Sequence, residues 1–180
     1  AVMGTRSGDI DPAIPMFMMQ QLDVGPKYMD SLLNKKSGLL GITGKFTDRR
    51  DVLKGADDGD KRCKLAVDME CYRLRKYVGA YAAAIGRLDA IVFTAGVGEN
   101  AGVIREKVLD GLEVFGLVLD KEKNLKTFSK HGETEISKPE SKVRVYIIPT
   151  NEELVFVEDV VGILEGTYTD HMQFKYSFLK

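Results

Sequence analysis

With 180 residues, 44% of them hydrophobic and 29% charged, the chain has the composition of a soluble globular protein with room for one domain and its core. A formal net charge of -1 gives no bulk attraction to nucleic acid or an acidic membrane, so neither is an expected partner. No apolar run approaches the roughly 18 residues of a membrane span, and the opening AVMGTRSGDID lacks an apolar signal core, which makes a cytoplasmic protein the expectation.

Residues 11–22, DPAIPMFMMQQL, read as a short helix in which Asp11 caps and Pro12 suits the first position. Met16, Met18, Met19 and Leu22 give it an apolar side, with the methionines expected as flexible core filler. Gly25-Pro26 breaks the chain before a second short helix, PKYMDSLLNKKS. SGLLGITG (37–44) has glycine around short apolar pairs and reads as a short strand or extended segment entering a loop. FTDRRDVLKGADDGD reads as a charged surface loop with a turn of helix.

Residues 60–86 carry the strongest helical signal, because Cys63, Val67, Cys71, Leu74, Val78, Tyr81 and Ile85 recur three or four apart. The basic residues beside that stripe alternate with acids and read as a solvated face. Two helical turns separate Cys63 from Cys71 by roughly 12 Å, too far for a disulfide. Reduced, buried thiols are expected. Leu88 to Phe93 follows as a buried strand, then a helix from Ala101 to Phe115, then a polar stretch of short strands or loop over 117–141. KVRVYIIPT (142–150) is a second strand, and NEELVFVEDVVGILEG is a last helix capped by Thr150 or Asn151. The tail after Gly166 has no clear period, and its His171 reads as a surface residue, not a catalyst. This order argues for an α/β layer structure.

The chemistry concentrates in VFTAGVGEN. A strand that ends in glycines and turns into a helix presents backbone N–H groups where a phosphate or nucleotide edge can approach. A plain tight turn fits the same letters. So does a dinucleotide fold, since Gly96 to Ala101 matches G-x-G-x-x-A and Asp120 stands where a ribose-binding acid would, which would make NAD the ligand.

Motifs outside the glycines favour another reading. MGTRSGDIDPAI (3–14), NKKSGLLGITG (34–44), VFTAGVGENAGVIRE (92–106) and IIPTNEEL (147–154) occur in one order. Together they closely resemble the acetate kinase family, whose fold is that of actin, the sugar kinases and the ATP-driven chaperones. The resemblance covers about residues 1–165 and leaves 166–180 unassigned. It implies a three-layer α/β domain of the actin-like ATPase (ribonuclease H-like) class, the C-terminal nucleotide-binding half of an acyl kinase. ATP or ADP with Mg2+ would be its cofactors, and acetate its acceptor, with propionate or butyrate as alternatives. It also implies a homodimer and an N-terminal domain carrying the acyl-site motifs, none of which is found here. His131 stands in no matching context.

Position by position, Arg6 matches the arginine that faces the transferring phosphoryl group, a role that paired guanidinium N–H donors suit. Asp48, Arg49 and Arg50 match the adenosine-side segment, where the family commonly has Asp-Phe-Arg, so Arg49 is a departure. Gly96, Val97, Gly98, Glu99 and Asn100 match the nucleotide loop, and Glu152 the magnesium-associated glutamate. Glu152 and Glu153 also simply favour a helix N-terminus. A non-catalytic dimerisation module remains the reading from a different class.

Overall fold

The computed structural model describes residues 1–178. Its elements in chain order are helices α1 (Ala13–Leu22), α2 (Pro26–Lys35), α3 (Gly38–Thr43), α4 (Arg49–Asp57) and α5 (Lys61–Ile85), strand β1 (Ala90–Phe93), helices α6 (Ala95–Asn100), α7 (Gly102–Leu109) and α8 (Lys121–Lys126), strands β2 (Thr134–Glu135) and β3 (Arg144–Ile147), and helix α9 (Glu152–Leu164). Short 3-10 turns occupy Glu113–Phe115 and Ser129–His131.

Local chemistry sets the bounds of α5. The Asp60 carboxylate accepts from the N–H groups of Arg62 and Cys63 at its start, and Gly86 takes the left-handed conformation at its end. Its stripe divides along its length. Cys63, Val67 and Cys71 are buried, Leu74 and Val78 are half-buried, and Tyr81 and Ile85 lie open to solvent. Both cysteines are free, as their spacing requires. The buried part, with Val2, Leu39, Val52, Ile104 and Val108, makes one apolar core.

The sheet has the order β1-β3-β2. β1 and β3 run parallel with Ile91 opposite Val145 and Phe93 opposite Ile147, and β2 is antiparallel to β3. Ile91, Phe93, Val145 and Ile147 therefore share one face, which packs with Leu109, Leu112, Leu117 and Ile136 into a second core. The other face, with Val92 and Tyr146, is not buried, so β1 is a half-exposed strand and not the buried one its apolar run suggests.

Several segments differ from the sequence reading for identifiable reasons. SGLLGITG is helix, not strand, because the N-terminal segment satisfies the start of α3. Leu39 N–H donates to Met3 O at 2.8 Å and Leu40 N–H to Gly4 O at 2.9 Å. Gly38 is required there, having φ +61° and space so tight that a Cβ would sit 2.1 Å from Met3 O. The expected loop after Thr47 is the helix α4, which Asp48 caps through Arg50 N–H. The helix expected over 101–115 stops at Leu109, and Gly111 follows at positive φ. Within the polar stretch, α8 forms because Asp120 accepts from Lys123 N–H.

The α1 methionines are not core filler. No α1 residue is buried, and Met16 is 70% exposed beside Ile14, Phe17 and Leu22. On α9, Val157, Val161 and Leu164 of the apolar line are exposed, with Phe156 and Ile163. The tail folds back along α9. Tyr176 donates to Asp159 at 2.6 Å, Ser177 is held by Glu158, and the Phe174 ring covers Gly162 closely enough to exclude a Cβ. His171 is exposed, with Nδ1 at 2.7 Å from the Tyr176 oxygen.

Candidate functional site

The motif containing Arg6 is fastened from three sides. Ser7 N–H donates to Leu33 O and Ser37 N–H to Thr5 O, each at 2.9 Å, and the start of α3 is held as described. Gly4 lies against Thr47, where a Cβ would come within 3.1 Å of the carbonyl oxygen. The arginine segment thus abuts the residue before Asp48. Arg6 itself is exposed, and its guanidinium makes no hydrogen bond to the described residues.

Asp48 and Arg50 pair at the start of α4, with Nη2 at 2.6 Å from Oδ2. The Arg50 side chain, then its backbone N–H, holds the Asp48 carboxyl down at about 2. Arg49 points elsewhere. Its Nε donates to Glu70 Oε2 at 2.7 Å and its Nη2 donates to Glu70 Oε1. Glu70 lies on the buried side of α5 with 3% of its surface exposed. The planar fork of arginine satisfies both carboxylate oxygens, which a phenylalanine at this position would leave bare.

The glycines after β1 do not form an open loop. They lie inside the six-residue helix α6, which Ala95 enters at φ 58°. Gly98 packs on the backbone of Phe93, where a Cβ would approach to 3.2 Å. Gly96 faces open space, with nothing of the chain within 4 Å of a Cβ placed there. Glu99 is buried, and its Oε1 accepts from Thr150 N–H at 2.9 Å and from Thr150 Oγ1 at 3.1 Å. This carboxylate braces the ends of β1 and β3 together. Asn100 Nδ2 donates to Gly96 O at 3.1 Å, while its Oδ1 accepts from Ser129.

Two neighbouring hollows meet at Gly96. The larger, about 610 Å3, is lined by Thr47, Asp48, Arg49, Arg50 and Leu53 on one side and Gly96, Val97, Asn100 and Ala101 on the other. The smaller, about 330 Å3, is lined by Ala95, Gly96, Thr150, Asn151, Glu152 and Glu153. The α4 start and the glycine turn, far apart in sequence, thus form one cavity, and Glu152 sits beside it. Glu153 lines the same hollow as Glu152, so the structure does not separate the two carboxylates. Arg6, Gly98 and Glu99 line neither. Among the described residues no cluster of three metal-binding side chains occurs, so a cation here would draw on oxygen donors from Glu152, Glu153 and its own ligand. Such hard oxygen donors fit magnesium. Asn151 caps α9 by accepting from Leu154 N–H.

A family model described as the Acetokinase family matches residues 1–158. The chain belongs to the acetokinase family. It is 64% identical over 180 residues to an acetate kinase of Trichlorobacter lovleyi, covering 100% of this chain and 43% of that protein. An acetate kinase of Geobacter metallireducens is 61% identical with the same coverages. Among solved structures, acetate kinase from Porphyromonas gingivalis superposes with TM-score 0.82 at 45% identity, over 91% of this chain and 40% of that one. A propionate kinase from Francisella tularensis superposes with TM-score 0.75 at 41% identity, over 84% of this chain and 38% of that one. The acetokinase chain described here therefore spans less than half the length of these relatives, and it has their actin-like ATPase fold. The dinucleotide reading gives way to that fold, and Asp120, its would-be ribose acid, is occupied as the cap of α8. The tail, unassigned from sequence, falls within the stretch aligned to the Trichlorobacter relative.

Sequence reasoning missed Glu70, although an acid in register with Cys63 and Val67 on a buried stripe is itself a signal. It also missed Arg105, which the short α7 gave no periodic reason to single out. The Arg49–Glu70 pair carries a direct test. Arg49→Ala strands a buried carboxylate and should cost about 3 kcal/mol in urea denaturation. The double change Arg49→Met with Glu70→Met should recover most of it. Equal midpoints for the single and double variants would contradict the pairing.

Proposed function

We propose that this chain is the nucleotide-binding part of an acetate kinase, catalysing reversible phosphoryl transfer from ATP to a short carboxylate, with residues 1–165 as the nucleotide-binding domain. The observation that carries the reading is the shared cavity of the Asp48–Arg50 segment and the Gly96–Asn100 turn, which meet at the place where Glu152 and Glu153 open beside them. In the forward direction a carboxylate oxygen attacks the γ-phosphorus, the bond from that phosphorus to the β–γ bridging oxygen breaks, and ADP leaves. Little covalent work falls to the protein, so positioning and charge dominate.

In this reading the half-buried wall of Val97, Ala101 and Leu53 takes the adenosine, with Arg49 and Arg50 at its edge. Gly96 leaves room for the ligand where any side chain would intrude. Arg6, on a firmly held segment and without a side-chain hydrogen bond to the described residues, offers its guanidinium to the phosphoryl oxygens. Magnesium, when bound with the nucleotide, would be held by Glu152 or Glu153 directly or through water, and would offset phosphate charge. Acetate is favoured over propionate because the relatives at 61–64% identity are acetate kinases. The two free buried thiols suit a reducing compartment, which supports a cytoplasmic enzyme.

We also propose a homodimer, supported by the exposed apolar side chains Ile14, Met16 and Phe17 on α1 and Phe156, Ile163 and Leu164 on α9. Light scattering should give twice the monomer mass, and Phe156→Glu should lower it. A clean monomer at high concentration would contradict this.

Calorimetric titration of the chain with ADP and magnesium tests the main reading. Saturable binding is expected, with no heat from NAD. Gly96→Val should weaken ADP binding at least about tenfold, equivalent to about 1.4 kcal/mol, while leaving the thermal midpoint nearly unchanged because the new side chain meets open space. Heat with NAD equal to that with ADP would contradict the preference for an adenine mononucleotide, and heat with neither ligand would favour a non-catalytic module.

A further inference from the structure

Arg105 is the largest fully buried side chain among the described residues, with 0% of its surface exposed. A guanidinium withdrawn from water is normally matched by a carboxylate, because desolvating a charge is costly. Here every hydrogen-bond partner is neutral. Nε donates to Asn124 Oδ1 at 2.8 Å, Nη2 to Asn124 O at 2.6 Å and to Thr127 O at 2.9 Å, and Nη1 to Gly98 O at 2.8 Å. Burial draws its pKa down to about 10, which leaves it charged at neutral pH. An arginine used only to fill space would be a costly choice, since an apolar side chain fills a core without the desolvation penalty.

The distribution of those bonds shows what the charge is for. Three fix the end of α8, and the fourth reaches across to the middle of α6. Other contacts run the same way. Asn124 Nδ2 donates to Gly102 O at 2.9 Å, and Ser129 N–H and Oγ donate to Asn100 Oδ1 at 3.2 and 3.0 Å. Gly102 packs so closely on Asn124 and Leu125 that a Cβ would come within 3.1 Å of each. The segment 124–129 is thus a floor beneath the turn, and Arg105 is the member that joins the two with charge-assisted bonds, roughly twice as strong as neutral ones. α6 is too short to be stable alone and holds two glycines, so its orientation must come from outside it. A trans peptide is rigid, so holding the Gly98 carbonyl fixes the whole Gly98–Glu99 plane. That plane lies between Gly96, which opens on the hollows, and Glu99, which braces Thr150.

We propose that Arg105 is a positioning residue of the glycine turn, whose buried guanidinium clamps Gly98 and so sets how Gly96–Asn100 faces the cavity shared with Asp48–Arg50. The consequence for ligand rests on the nucleotide reading above, but the hold on the turn does not. Arg105→Lys keeps the charge and loses the fork. Hydrogen exchange of the ligand-free variant should speed up at least about tenfold in peptides spanning 93–101, while amides of 144–147 stay within about twofold of the parent chain. ADP affinity should fall about tenfold with the far-ultraviolet circular dichroism unchanged. If the lysine variant does not fold, Asn124→Ala, which keeps the arginine and removes one of its acceptors along with the bond to Gly102 O, should loosen the same peptides by a smaller factor. Unchanged exchange over 93–101 in a folded variant, or loosening spread equally through the sheet, would overturn the proposal. Failure of the parent chain to bind ADP would count against the nucleotide reading alone, because the exchange comparison decides the hold on the turn by itself.

Discussion

The parallel pairing of β1 with β3 is the constraint on which the rest of the site depends. Parallel neighbours end at the same edge of a sheet, so the turn after Phe93 and the turn after Ile147 emerge side by side. The two hydrogen bonds from Thr150 to Glu99 then lock those turns together. A buried carboxylate with both donors from one residue is an economical brace, since neither the N–H nor the hydroxyl is left unpaired away from water. Once these ends are fixed, Gly96 and the start of α9 flank one opening, and the only further requirement is a wall to face them. That wall is the start of α4, carried there by the packing of α4 along α5 and set beside the arginine segment by the close approach of Gly4 to Thr47.

Charge in the site is handled in two ways. At the rim, Asp48 and Arg50 pair in the open, where screening keeps the interaction weak and a ligand can compete for either partner. Beneath the surface, Glu70 is paired with Arg49, and Arg105 spends four of its five N–H donors on neutral acceptors. No buried side-chain polar atom among the described residues lacks a partner. The buried polar groups are thus tied to partners, while Arg6, Glu152 and Glu153, to which the proposed function gives roles, are exposed.

The family was readable because motifs such as MGTRSGD and PTNEEL set particular residues in a fixed order. The long helix was readable because its period is undisguised from Cys63 to Val78. What was not readable depended on contacts distant in sequence. SGLLGITG becomes helix only because the carbonyls of Met3 and Gly4 reach its free N–H groups. The α1 methionines look like core filler by composition, yet Met16 is exposed and Met18 and Met19 are only half-buried. Arg49 read only as a departure from Asp-Phe-Arg until Glu70, twenty-one positions away, gave its fork a partner. The letters around Gly96 fit a plain turn or a ligand loop equally, and the contacts of Arg105 with Gly98 and Ser129 with Asn100 came from residues that no local pattern singled out. Apart from the methionines, the deciding atom in each case lay on another element.

The central claim is that two segments distant in sequence form one nucleotide cavity. Hydrogen exchange of the chain with and without ADP and magnesium addresses it most directly. The account predicts that protection rises together in peptides covering 47–53 and 95–101, with peptides covering α9 beyond its first turn unchanged. Protection confined to one of the two segments, or appearing in neither while ADP is bound, would contradict it.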